Sequence, residues 1–209
     1  MPTDSEFAHH WDQVYRTKPV DQTSWFCPHL TQSLEAIDAL RLPTDAHIID
    51  IGAGASSLIA DLLARGFRNC TALDIAPRAI ELARAAIPHC PDSVRWITGD
   101  VRTAELPAGT FDLWHDRAAF HFLTDPTHRA AYIAQAARAL RPGAAILIST
   151  FAPDGPTKCS GLEVARLAAQ DIAAALGTAF EFISGAAHTH TTPWGAPQRF
   201  SLCLCRRRP

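Results

Sequence analysis

The sequence predicts an α/β fold built on a mostly parallel sheet with helices on both faces, and three observations carry that prediction. From about residue 46 short β-type runs alternate with helical patterns, the order a parallel sheet with covering helices requires. The first run, "HIID", passes straight into the glycine-rich turn "DIGAGASS" of Asp50 to Ser57, where a strand gives way to a helix through residues free to take positive φ. The last two runs, "FEFIS" and "RFSLCLC", have only a polar, proline-containing loop between them. Strands joined without a crossover helix pair antiparallel.

The elements follow in order. Two segments, "SEFAHHWDQVY" and "HLTQSLEAIDAL", read as helices ahead of the sheet, with Trp25 and Phe26 between them after a polar turn. After the first strand, Leu58, Ile59, Leu62 and Leu63 recur at helical spacing until Gly66 stops the helix. "CTALDI" is the second strand. Pro77 opens a helix whose buried face is Ile80, Ala83 and Ile87, with Pro88 closing it. "VRWIT" and, after the turn "LPAGT", "FDLWH" are the third and fourth strands. Asp125-Pro126 has the form of a cap and first helical position for a helix running to about Leu140, ended by "RPG". "AAILIST" is the fifth strand and "LEVARLAAQDIAAAL" a helix, so the two closing runs complete a seven-stranded sheet.

A chain of 209 residues, 47% apolar, is long enough for one core, and residues 1–209 are expected to form a single domain with 1–45 as a helical lid. Its 19 basic and 21 acidic residues are scattered, which argues against nucleic acid, since neutralising phosphates needs a clustered basic face. Arg206-Arg207-Arg208 reads as a solvated tail. Neither a secretory leader nor a run of about 20 apolar residues occurs, so no membrane partner is expected and the chain reads as cytoplasmic. The six cysteines make no CxxC pair and His188 and His190 lack a third ligand, so no metal is expected. Oligomeric state is left open.

The turn admits several ligands. A P-loop is excluded because no lysine follows where it would reach a phosphate. A dinucleotide is harder to dismiss, because an acidic residue about 20 positions on, here Asp74, serves both schemes. That fingerprint, however, needs a third glycine where Ser57 stands, and it does not call for Asp50 at the head of the turn.

The ordered set Asp50-x-Gly52-x-Gly54-x-Ser56, then Asp74, then "GDV" of Gly99, Asp100 and Val101, resembles the motifs of class I S-adenosylmethionine-dependent methyltransferases. The likeness runs from about residue 46 to 205 and includes the closing antiparallel pair, which implies the Rossmann-like fold of that class. Ser56 stands where the family usually has glycine. "WDQVY" and the aromatics near Trp25 resemble a branch containing lysine methyltransferases of elongation factor and citrate synthase, together with bacterial small-molecule enzymes. The resemblance implies S-adenosyl-L-methionine as cofactor and S-adenosyl-L-homocysteine as product. It gives Asp50, Gly52, Gly54 and Ser56 to the methionine end, Asp74 with Ile75 to the ribose, and Asp100 with Val101 to the adenine edge. Trp11, Tyr15 and Trp25 would close over the cofactor, or else simply pack the N-terminal helix.

The acceptor would meet the end of the fourth strand, in "HDRAAFHFL". There Asp116 could take the methionine ammonium and Arg117 an acidic acceptor, or the two form an internal ion pair. His121 is a candidate base, or a core histidine. Lys158, Cys159 and Ser160 could face a small polar substrate, with His188, His190 and Thr192 closing the pocket. The expected activity is methyl transfer to a small-molecule nucleophile by in-line displacement. The alternatives are a protein-lysine methyltransferase, an NAD-binding protein and a silent cofactor-binding subunit.

Overall fold

The computed structural model describes residues 4–87 and 94–209. Pro88, expected to close a helix, and Cys90 lie outside them. In chain order come α1 (Asp4–Thr17), α2 (Thr31–Leu40), β1 (His47–Ile51), α3 (Leu58–Ala64), β2 (Asn69–Asp74), α4 (Pro77–Ala85), β3 (Val94–Thr98) and β4 (Phe111–Arg117). Then follow α5 (Pro126–Ala139), β5 (Leu140–Phe151), β6 (Lys158–Cys159), β7 (Leu162–Glu163), α6 (Ala169–Leu176), β8 (Phe180–Thr191) and β9 (Pro197–Arg207).

The main sheet has the order β3-β2-β1-β4-β5-β9-β8. β1 to β5 run parallel, and β9 pairs antiparallel with both β5 and β8, as the missing crossover helix requires. Strand order reverses between β1 and β4, so the crevice beyond their carboxyl ends is where a ligand is expected. Alternation along the strands divides the core. Ile49, Ile51, Trp114 and Ile148 pack with Tyr132 and Ile172 of α5 and α6. Ile48, Leu113 and Leu147 pack with Leu34, Ile37, Leu58 and Leu62 of α2 and α3. Helices therefore cover both faces. None among the described residues is long and apolar enough to cross a membrane.

Local signals placed several boundaries. Asp125 accepts from the Thr127 N–H at 2.7 Å, and Pro126 takes the first position of α5. Two expectations fail. The helix read over residues 162–176 begins only at Ala169, and Leu162–Glu163 instead pair with Lys158–Cys159. Backbone partners elsewhere claim the intervening segment: Ala165 N–H donates to the His121 carbonyl and Leu167 N–H to that of Phe151. The loop expected between the closing strands is mostly strand as well, because Gly185 to Thr191 stay paired with β9 and only residues 192–196 turn.

The helix α1 lies across the carboxyl end of the sheet. Trp11, Val14 and Tyr15 pack with Ala76, Ala79, Phe151 and Phe200. Asp12 of "WDQVY" accepts from the Arg78 N–H at 2.9 Å, which satisfies an otherwise free donor in the first turn of α4.

Candidate active site

A cavity of about 590 Å³ occupies the space beneath α1. Asp50, Asp74 and Asp100 come from the ends of β1 to β3, Arg117 from β4, and Trp11, Tyr15 and Trp25 from the N-terminal segment. The three rings form an edge-on cluster, with Trp25 centred 5.7 Å from Trp11 and 6.2 Å from Tyr15. Lys158 and Cys159 reach the cavity, whereas Ser160 is not on its lining.

The glycine turn is shaped by two residues at positive φ, Gly52 at 60° and Gly54 at 56°. A Cβ on Gly52 would stand 2.6 Å from that of Ala119, and one on Gly54 would stand 2.4 Å from the Tyr15 hydroxyl. Both therefore serve close approach as well as conformation. Gly52→Ala adds left-handed strain, about 1–2 kcal/mol, to overpacking of about 1–3 kcal/mol. We expect chemical denaturation to show a loss of roughly 2–5 kcal/mol for this one methyl group.

Asp50 is held from behind. The β1–β4 register sets it level with His115, whose Nδ1 lies 2.7 Å from Asp50 Oδ1 while its Nε2 lies 2.8 Å from Ser33 Oγ on α2. All three residues are buried. The other oxygen, Asp50 Oδ2, is buried without a hydrogen-bond partner. An unsatisfied buried carboxylate oxygen on a residue that lines a cavity is costly unless a donor arrives.

Asp74 is likewise enclosed: its Oδ2 accepts from the Gly54 N–H and its Oδ1 from the Ala76 N–H, each at 2.8 Å. It thus ties the glycine turn to the end of β2. Burial raises its pKa to about 6 despite these bonds. Each oxygen of the ionised group keeps a further acceptor site. Asp100 is claimed by Arg102, which donates to it from its backbone N–H and guanidinium. Desolvation works against ionisation of Asp100, and the bonds and charge of Arg102 outweigh it, holding the pKa low. Ile75 and Val101 line the same region. Ser56 also lines it, and its Oγ accepts, at 3.4 Å, from the Leu58 N–H at the start of α3.

The acceptor-side expectations need correction. Asp116 is not on the cavity wall: its carboxylate accepts from the Ala119 and Phe120 N–H groups and from the Tyr132 hydroxyl, and burial raises its pKa to about 6. Successive residues on a strand face opposite sides, so with His115 and Arg117 on the cavity Asp116 belongs to the other layer. His121 is no base either, because it is fully buried off the cavity wall, between Phe122 and Phe151, with both ring nitrogens unpartnered. Burial, reinforced by Arg117, lowers its pKa to about 3. Thr192 does not close a pocket, since its hydroxyl accepts from the Ala196 N–H within the β8–β9 turn. Sequence reading placed His115 at the end of the fourth strand without a role, and missed Ser33 and Arg102. For His115 the signal was its place on the strand expected beside β1, and for Arg102 its place two residues after Asp100.

Residues 48–143 match a family model described as a methyltransferase domain. The chain is 32% identical over 105 residues to a mouse EEF1A lysine methyltransferase 4, covering 50% of this chain and 40% of that protein. It is 33% identical over 104 residues to an uncharacterised methyltransferase of Mycobacterium tuberculosis, covering 50% of each. The aligned part thus spans half or less of these curated relatives. Among solved structures it is similar to the Burkholderia thailandensis 1,6-didemethyltoxoflavin-N1-methyltransferase with bound 1,6-didemethyltoxoflavin and S-adenosylhomocysteine. That similarity has a TM-score of 0.72 at 21% identity, over 100% of this chain and 92% of that one.

Proposed function

We propose that the protein, whose residues 48–143 match a family model described as a methyltransferase domain, is a class I S-adenosylmethionine-dependent methyltransferase that methylates a small-molecule nucleophile within the cavity beneath α1. The single observation that carries the reading is Asp50, which lines a cavity of about 590 Å³ and whose Oδ2 is buried without a hydrogen-bond partner. That volume falls in the range of about 300–1,000 Å³ usual for small-molecule sites. The free oxygen suits the methionine ammonium. The adjacent glycine backbone at the mouth of α3 suits the carboxylate.

Bound S-adenosylmethionine supplies a methyl group on a cationic sulfur, open to in-line displacement. The residues of this chain do the rest. Asp74 would take the ribose hydroxyls, Ile75 and Val101 would flank the adenine, and Asp100 is kept ionised beside Arg102. His115 and Ser33 keep the Asp50 carboxylate aimed. Trp11, Tyr15 and Trp25 exclude water, with α1 acting as a lid over residues brought into line; alignment of that kind is worth up to about 7–11 kcal/mol of barrier.

A pH dependence follows from Asp74. The ribose hydroxyls donate to the ionised carboxylate, so binding opposes a protonation that begins as pH falls to about 6. Affinity for S-adenosylhomocysteine is expected to be level above that pH and to weaken below it. Calorimetry between about pH 5 and 8 checks this, and Asp74→Asn should flatten the acid arm. For stability the sign is the reverse. A raised folded pKa gives a contribution present below the unfolded value near 4 and lost as pH rises through about 6.

The likeness to a mouse EEF1A lysine methyltransferase favours a second reading, methylation of a protein lysine. The covering helix α1 and the positive charge of Arg117 on the cavity wall support the small-molecule reading. Calorimetry with S-adenosylmethionine against NAD tests the cofactor, and no heat with S-adenosylmethionine would sink the proposal. Labelled cofactor incubated with small thiols, imidazoles and carboxylates, and separately with purified elongation factor, tests the acceptor.

A further inference from the structure

Arg117 is a cation with no carboxylate in direct contact among the described residues, and Asp50 acts on it only from a distance. Its Nη1 donates to the Trp25 carbonyl at 3.0 Å and its guanidinium carbon lies 5.1 Å from the centre of the Phe200 ring. Among the described residues no carboxylate forms an ion pair with it. A largely enclosed charge in that state is unfavourable until something pairs with it.

A second, small cavity of about 10 Å³ adjoins the first and shares Cys27, Leu30 and Arg117 with it. Its polar walls include Gln32, Ser149 and His188, and no acidic residue lines it. Ser149 is only 1% exposed and its Oγ has no partner; His188 Nδ1 is also buried and unpartnered. Arg117, Ser149 and Gln32, a guanidinium, a hydroxyl and an amide, thus line room for about one heavy atom. Such an occupant accepts hydrogen bonds and carries negative charge. Of the acids that line the main cavity, Asp50, Asp74 and Asp100 stand at the ends of the other strands, while Asp4 and Glu163 are paired with Arg102 and Lys158, so the corner at Arg117 is left for the acceptor.

We propose that Arg117, Ser149, Gln32 and His188 form a subsite for an anionic end of the methyl acceptor, a carboxylate, one oxygen of which enters the small cavity. The assignment rests on the reading of the main cavity as the methyl-transfer site. A free inorganic anion such as chloride offers the same chemistry from another source, and the test separates them.

The full chain, loaded with S-adenosylhomocysteine in chloride-free buffer, is titrated with acetate and propionate, and separately with sodium chloride at constant ionic strength, by calorimetry and thermal unfolding. Saturable carboxylate binding is expected, weakened about tenfold or more by Arg117→Gln, partly kept by Arg117→Lys and weakened about three- to tenfold by Ser149→Ala. Cofactor-product affinity on the same preparations should stay within about twofold. No saturable carboxylate response in the wild type, an equal response in Arg117→Gln and Ser149→Ala, or a response to chloride alone would overturn the proposal. Repeating the titration without S-adenosylhomocysteine keeps a failure of the cofactor reading distinct from a failure of the anion subsite.

Discussion

Asp74→Ala is expected to weaken S-adenosylhomocysteine binding by about 2–4 kcal/mol, taking about 1.5–3 kcal/mol for each charge-assisted bond to a ribose hydroxyl and allowing for partial replacement by water. Stability falls too, because the Gly54 and Ala76 N–H groups lose their acceptor. An orphaned buried donor costs about 1–3 kcal/mol, offset in part by removal of a desolvated carboxylate. Affinity and stability measured on one mutant therefore do not separate a ligand from a structural cap. Comparison of S-adenosylhomocysteine with its 2′-deoxy and 3′-deoxy analogues does. If Asp74 holds the hydroxyls, the wild type loses affinity when a hydroxyl is removed and Asp74→Ala does not. Equal losses in both proteins would make Asp74 purely a clamp on the glycine turn.

Asp50→Asn is expected to lower affinity for the same ligand by roughly 10- to 150-fold, the worth of a hydrogen bond to a charged group. The substitution preserves volume and leaves an oxygen for His115, so the unfolding free energy should change by about 1 kcal/mol or less. His115→Ala acts at a distance: it removes the support behind Oδ1 and should weaken binding less than Asp50→Asn. Calorimetry and denaturant unfolding on matched samples give both quantities. A full loss of binding with an unfolding midpoint far below that of the wild type would place Asp50 in the core network and not in the ligand site.

Much of this arrangement was legible locally. Strand periodicity, the two glycines, and Asp125-Pro126 marked where elements begin, and the missing helix before residue 199 marked the antiparallel close. Non-local pairing was not legible. Gly185 to Thr191 have weak strand propensity, and pairing with β9 decides their conformation. Residues 162–168 carry a helical composition, yet the N–H groups of Val164, Ala165 and Leu167 go to the distant carbonyls of Thr157, His121 and Phe151. In the site, Asp50, Asp74 and the glycines could be read from order along the chain. Asp116 was misassigned because strand alternation was not applied to adjacent residues. Ser33 comes from a helix that nothing in the sequence places beside His115, whereas Arg102 follows its partner Asp100 by two residues and was legible from that spacing.

The most direct measurement is a crystal structure of the full chain grown with S-adenosylhomocysteine. The account predicts the ligand in the cavity beneath α1, its ammonium within about 3 Å of Asp50 Oδ2 and both ribose hydroxyls on Asp74. Density for the ligand elsewhere, or in the cavity with Asp50 Oδ2 still unpartnered, would contradict it.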